Sequence, residues 1–243
     1  MNTNLPNVEF ANNPESRCAV VLLLDRSGSM NGPSIDQVNE GLNAFAEEIK
    51  LDSLASLRVE VSIVTFGGKV DVLDLRNNGN PIDPVSADAN QVFVLTCDFL
   101  PPKLTADGET PMGEAVAVGL RLIRERKAIY KQNGITYYRP WMFLITDGAP
   151  TDGEIWKQAA MDVKQEEGRK GVSFFGVGTE NANMEVLSQF SSAYRPVKLQ
   201  GLKFKEMFVW LSGSLKDTTE VKPGDQVALP SVEGWAKVDT SIR

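Results

Sequence analysis

The sequence has no histidine and only two cysteines, Cys18 and Cys97. Without histidine, Ser-His-Asp and Cys-His nucleophile pairs, imidazole proton shuttles and His-ligated zinc are all excluded. Two cysteines cannot build a four-thiolate metal site or a disulfide framework. Any metal is therefore expected to be a hard cation held by oxygen. Basic charge is scarce as well. Lys plus Arg number 25 against 32 Asp plus Glu, a net charge of −7, which is the reverse of a nucleic-acid binder's surplus. Long apolar runs are missing too: the longest, residues 18–24, is far too short to cross a bilayer. Residues 1–14 are polar, with neither a basic n-region nor an apolar h-region. The expectation is a cytoplasmic chain without secretory signal, membrane segment or nucleic-acid partner.

What is present is an ordinary globular composition, 42% hydrophobic over 243 residues, enough for one large domain. Short solid apolar runs alternate with helical periods. Residues 18–24 read as a strand buried on both faces. Ile35, Val38, Leu42, Phe45 and Ile49 then form one stripe of an amphipathic helix. Residues 58–66 read as a second strand, ended by Gly67-Gly68 and able to pair with 70–75 as a hairpin. Residues 76–105 read as a long, acidic, Pro-rich connection, with 92–95 as one short strand within it. Beyond it come a helix over 111–126, a strand at 141–146, a helix over 154–168 and a strand at 172–177. A short helix at 184–190 and a weaker strand at 195–199 lead to a last helix carrying Phe204, Met207, Phe208, Leu211 and Leu215 on one stripe. Strands alternating with helices predict right-handed crossovers and a mostly parallel sheet covered on both faces. The predicted organisation is a polar segment at 1–16, a domain at 17–216 and a tail at 217–243, whose Val227, Leu229, Val232 and Trp235 predict that it folds back.

In such a sheet, ligands bind where loops leave the carboxyl ends of the strands. Asp25-Arg26-Ser27-Gly28-Ser29 follows the first strand, and Asp147-Gly148 follows the strand through Ile145. Thr110, just before Pro111, is expected at the N-cap of a helix. Two carboxylates (Asp25, Asp147) and three hydroxyls (Ser27, Ser29, Thr110) are thus brought toward one rim from three loops. Asp25, Ser27 and Ser29 alternate, so an extended or turning loop can aim all three alike. That assortment suits a hard cation. Taken singly, each piece is also an ordinary turn or helix cap.

Asp25-x-Ser27-x-Ser29, then Thr110, then Asp147-Gly148 resembles the metal-ion-dependent adhesion site (MIDAS) of von Willebrand factor type A (VWA) domains. The surrounding words match too: Val21-Leu22-Leu23-Leu24 before Asp25, Thr110-Pro111-Met112-Gly113-Glu114-Ala115, and Phe143-Leu144-Ile145-Thr146-Asp147-Gly148. Within the family, the chain resembles stand-alone bacterial TerY-like proteins of tellurite-resistance and stress gene clusters. The resemblance implies a Rossmann-like α/β fold with about six strands and a bound Mg2+, or Mn2+ in some members. It implies that Ser27 and Ser29 ligate the metal directly, that Thr110 does so directly or through water, and that Asp25 and Asp147 orient these hydroxyls. It further implies a protein partner that donates an Asp or Glu to the metal, and no catalytic residue. The alternative is a Mg2+-assisted phosphohydrolase using Asp25 as nucleophile or base. Phosphate chemistry normally recruits a cationic clamp, and only Arg26 stands in place for one. Other motifs are incomplete. Val70 stands where a P-loop ending in Gly67-Gly68-Lys69 needs Ser or Thr, and Gly176-Val177-Gly178 lacks the third glycine of a dinucleotide fingerprint.

Overall fold

The structure, a computed structural model, describes residues 8–238. Residues 1–7 of the polar segment and 239–243 of the tail lie outside the described residues. In chain order the elements begin with α1 (Val8–Asn12), β1 (Cys18–Asp25), α2 (Pro33–Lys50), α3 (Ala55–Arg58) and β2 (Val59–Gly67). Then come β3 (Lys69–Asp74), β4 (Asn80–Ile82), α4 (Ala89–Val92), β5 (Val94–Leu95), α5 (Met112–Gln132) and β6 (Trp141–Thr146). The chain ends with α6 (Ile155–Gly168), β7 (Ser173–Gly178), α7 (Met184–Ser188), β8 (Val197–Leu199), α8 (Phe204–Glu220) and β9 (Ala236–Val238).

All eight residues of β1 are buried, because both faces of this central strand are covered. Alternation then divides its side chains. Cys18, Val20, Leu22 and Leu24 join the core shared with α2 and α8. Ala19, Val21 and Leu23 join the core shared with α5 and α6. The predicted stripes of α2 and α8 are the ones that face that first core. Strand order is β4-β3-β2-β1-β6-β7-β8-β9, with β5 also paired to β2. The pairs from β2 through β8 are parallel. The fold is thus the expected mostly parallel, Rossmann-like α/β sheet, but it has nine strands rather than about six. The excess is β4, β5 and β9, of two or three residues each. Segments that short carry no readable period, and Pro81 inside β4 argues against a strand except at an edge.

The connection over 76–105 is more ordered than expected, since it holds β4, α4, β5 and a 3-10 turn at Pro84–Ser86. The tail does fold back: β9 pairs antiparallel with β8, and Trp235 and Ala236 are buried. Phe10 of α1 is buried as well, which the polar reading of residues 1–16 did not foresee. Cys18 is fully buried, and burial, followed by the charge of Glu60, pushes its thiol up to about 12; Cys97 is exposed and unpaired. No helix among the described residues is long and apolar enough to cross a membrane.

Candidate metal centre

Strands β1 and β6 are parallel neighbours, with Leu24 opposite Ile145. The residues that leave them, Asp25 on one side and Thr146-Asp147 on the other, therefore emerge together at the carboxyl edge of the sheet. Asp25 Oδ1 accepts the Ser27 amide at 2.8 Å, which bends the chain at once. A 3-10 turn at Gly28–Met30 follows, so the loop turns rather than running extended. The turn brings Ser27 Oγ within 3.1 Å of Ser29 Oγ, and Ser29 Oγ donates to Asp147 Oδ1 at 2.7 Å. Thr146 Oγ1 donates to Asp25 Oδ2 at 2.5 Å and closes the ring of contacts from the β6 side.

Thr110 is placed differently from expectation. It is not the N-cap of α5; that position is Pro111, which makes no side-chain cap. Instead, Asp152 reaches across from the β6–α6 loop and its Oδ2 accepts the Glu114 amide at 2.8 Å. Proline fixes its own φ and restricts the residue before it, so Thr110 lies outside the helix. Its backbone pairs with Thr151, through Thr110 N to Thr151 Oγ1 at 3.0 Å and Thr151 N to Thr110 O at 2.9 Å. Those bonds hold its hydroxyl beside the Asp147 loop, where a Cβ built on Gly148 would stand 3.5 Å from Thr110 Oγ1.

Backbone bonds also lace the loops that leave β1 and β2 to the segment before α5. Gly28 N donates to Gly108 O, Asp107 N to Arg26 O, and Gly68 N to Glu109 O, all at 2.7–2.8 Å. Gly108 has φ +75°, and a Cβ there would fall 2.3 Å from the Gly68 Cα. Only glycine allows this approach.

Asp25, Ser27, Thr110 and Asp147 are all buried, and Ser29 is exposed. Burial raises the Asp25 pKa above the usual carboxylate value; bonds from Ser27 and Thr146 partly offset this, and the Asp147 charge adds to it. Arg26 does not point to solvent or to these carboxylates. It pairs with Asp71 of β3 at 3.1 Å, and Lys69 binds the same carboxylate at 2.9 Å. Among the described residues, no three His, Cys, Asp or Glu side chains cluster to hold a metal. Any cation here would therefore have to recruit hydroxyls. The donor set fits a hard ion on that count: two carboxylates and three hydroxyls, with Thr110 Oγ1 making no hydrogen bond among the described residues.

The structure thus joins Asp25, Ser27, Ser29 and Asp147 in one hydrogen-bonded chain and sets Thr110 on the adjoining loop. Sequence reading missed Thr146, Thr151 and Asp152. Thr146 and Asp152 flank the Asp-Gly turn, and a polar residue at the end of an otherwise apolar strand was the available signal.

A family model described as the von Willebrand factor type A domain matches residues 19–199. The chain belongs to that family. Among solved structures, this VWA chain is similar to proximal thread matrix protein 1 of the mussel byssus, at 14% identity and a TM-score of 0.53. The match covers 83% of this chain and 48% of that one, so the chain spans about half the mussel protein's length. The mussel protein is also solved with a zinc-occupied MIDAS motif, at 15% identity and a TM-score of 0.51 over 83% and 48% of the two chains. The human COPII-coat protein Sec24c matches at 13% identity and a TM-score of 0.54, over 84% of this chain and 33% of that one. At these identities the likeness is one of fold. A search of curated protein sequences returns no significant match.

Proposed function

We propose that this VWA domain is a metal-dependent protein-binding module rather than an enzyme. The observation that carries the reading is the hydrogen-bonded chain from Asp25 through Ser27 and Ser29 to Asp147, with the free Thr110 hydroxyl beside it. Ser27, Ser29 and Thr110 would hold Mg2+ or Mn2+ through their hydroxyls. Asp25 has both oxygens engaged, by the Ser27 amide and by Thr146, so its role is to set the loop rather than to ligate. Asp147 orients Ser29 in the same way. When bound, the cation supplies an electrophilic position that accepts a carboxylate from a partner protein. A metal-filled MIDAS in the mussel relative supports a cation at this place in the fold. Cytoplasmic location rests on the sequence expectation, and a bacterial tellurite-resistance or stress-response setting on the TerY-like resemblance.

The test is capture of partners from native lysate with and without EDTA. Capture lost in chelator, in Asp25→Ala and in the Ser27→Ala/Ser29→Ala double variant, with the fold retained, is the expected result. Binding that ignores both chelator and substitution refutes the reading. The competing phosphohydrolase lacks its cationic clamp, because Arg26 is engaged by Asp71. Mg2+-dependent turnover of a phosphate ester, lost in Asp25→Ala, would favour it instead.

A further inference from the structure

The tail that returns to the sheet leaves a groove beneath it. Its apolar part is a cavity of about 340 Å3 walled by Phe143, Phe175, Val177, Trp210, Leu229 and Trp235. Its polar part, of about 650 Å3, carries Arg139, Lys170 and Asp225. Tyr194 and Leu229 line both parts, so the two adjoin. Arg195 stands at the apolar cavity. Each volume lies in the range of small-molecule sites, about 300–1,000 Å3.

Charge decides what the groove would take. The chain is acidic overall, yet Arg139 and Lys170 line the polar part and Arg195 the apolar part, and the described lining residues include one carboxylate, Asp225. None of the three cations has an ion pair or side-chain hydrogen bond among the described residues. Lys170 is moreover held at φ +57°, a left-handed position after α6 that glycine fills without strain. The strap itself is tied down by Trp210 Nε1 to Pro230 O at 3.0 Å and by Gln200 N to Trp235 O at 2.8 Å.

We infer that this groove binds an amphipathic carboxylate, with its apolar body among Phe143, Phe175, Trp210 and Trp235 and its anionic head beside Arg195 and Arg139. The site shares no residue with the five of the metal centre, so it stands or falls independently of the metal reading. Trp141, Trp210 and Trp235 line the groove and report on it. The experiment titrates the full chain, in EDTA, with sodium dodecanoate, dodecanol and dodecyltrimethylammonium, following tryptophan fluorescence and calorimetry. Expected is saturable binding of dodecanoate at least tenfold tighter than of the alcohol or the cation. Arg195→Glu and Arg139→Glu, both at exposed positions, should each weaken it at least fivefold without changing the melting temperature. Ala193→Phe, at the exposed rim of the apolar cavity, should abolish it. Absence of saturable binding, equal affinity for the alcohol, or indifference to all three substitutions overturns the inference.

Discussion

Replacing Glu60 should be among the most damaging single changes in this chain. Glu60 lies on β2, fully buried, at the pole of the sheet opposite the metal centre. It accepts from Arg17 Nε at 3.0 Å, from Arg126 Nε at 2.7 Å and Nη2 at 2.8 Å, and from Tyr130 OH at 2.5 Å. Both arginines are fully buried. Burial alone would lower the Arg126 pKa, but Glu60, with Tyr130 and Glu9 adding to it, turns the net direction up. Arg126 is also boxed by Phe10 at 5.3 Å and Tyr130 at 5.2 Å, and Glu9 binds it at 2.8 Å. Glu60→Ala therefore strands two buried cations with one partly exposed carboxylate between them. Breaking a buried pair in this way costs about 3–5 kcal/mol, about a fifth or more of a typical stability of about 5–15 kcal/mol. At about 2–4 °C per kcal/mol for a chain of this size, the melting temperature should fall by roughly 6–20 °C. Calorimetry and urea unfolding measure it. The triple variant Arg17→Met/Glu60→Met/Arg126→Met removes the charges together and should recover part of the loss, since a buried ionic cluster is often replaceable by apolar packing. A loss below about 1 kcal/mol in Glu60→Ala, or a triple variant worse than the single one, refutes the argument.

The metal centre gives two more predictions. Because burial raises the Asp25 pKa above its unfolded value of about 3.9, this group's contribution to stability is present below the unfolded pKa. It is lost as pH rises through the folded pKa. Ionising Asp25 in the metal-free chain is therefore costly, and a cation should stabilise most where this carboxyl is ionised, by about 2.7 kcal/mol at a hundredfold excess over Kd. The Mg2+-induced rise in melting temperature should shrink from pH 7 to pH 4.5; a rise independent of pH, or unchanged in Asp25→Ala, contradicts this. Gly108→Ala should destabilise by more than the roughly 1–2 kcal/mol of left-handed strain and weaken cation binding, since its methyl would meet the Gly68 backbone. Gly153→Ala, at φ +61° with nothing within 4 Å, should incur the strain alone. Equal losses in urea unfolding would show that the loop pinch is not tight.

The alternation of buried runs with helical stripes made the central sheet legible, because β1, β2, β6 and β7 are buried on both faces and are built mostly of apolar residues, with Glu60, Ser62 and Thr65 of β2 as buried exceptions. The short edge strands were not legible, since their pairing is decided by what lies beside them. Asp25, Ser27, Ser29 and Asp147 could be placed at one rim because each directly follows a readable strand. The position of Thr110 outside its helix could not be read. It depends on Thr151 and Asp152, which lie about forty residues away in the chain and which no local pattern connects to it. Likewise Phe10 and Glu9 look like an idle polar start until the buried Arg126 shows what they cover.

The two poles of the sheet treat buried carboxylate charge in opposite ways, and the contrast bears on function. Glu60 is buried with two arginines and a tyrosine aimed at it. Asp25 is buried to nearly the same degree, yet it receives only a hydroxyl and an amide, and Asp147 a hydroxyl. Arg26, the cation closest in sequence, is turned onto Asp71, whose other oxygen is already held by Lys69. A carboxylate kept out of water without compensating charge is costly, and this chain has the means to compensate one where it needs only rigidity. Leaving Asp25 and Asp147 without a cationic side chain among the described residues is physically economical if their counter-charge arrives as a bound ion whose field the protein has not already cancelled.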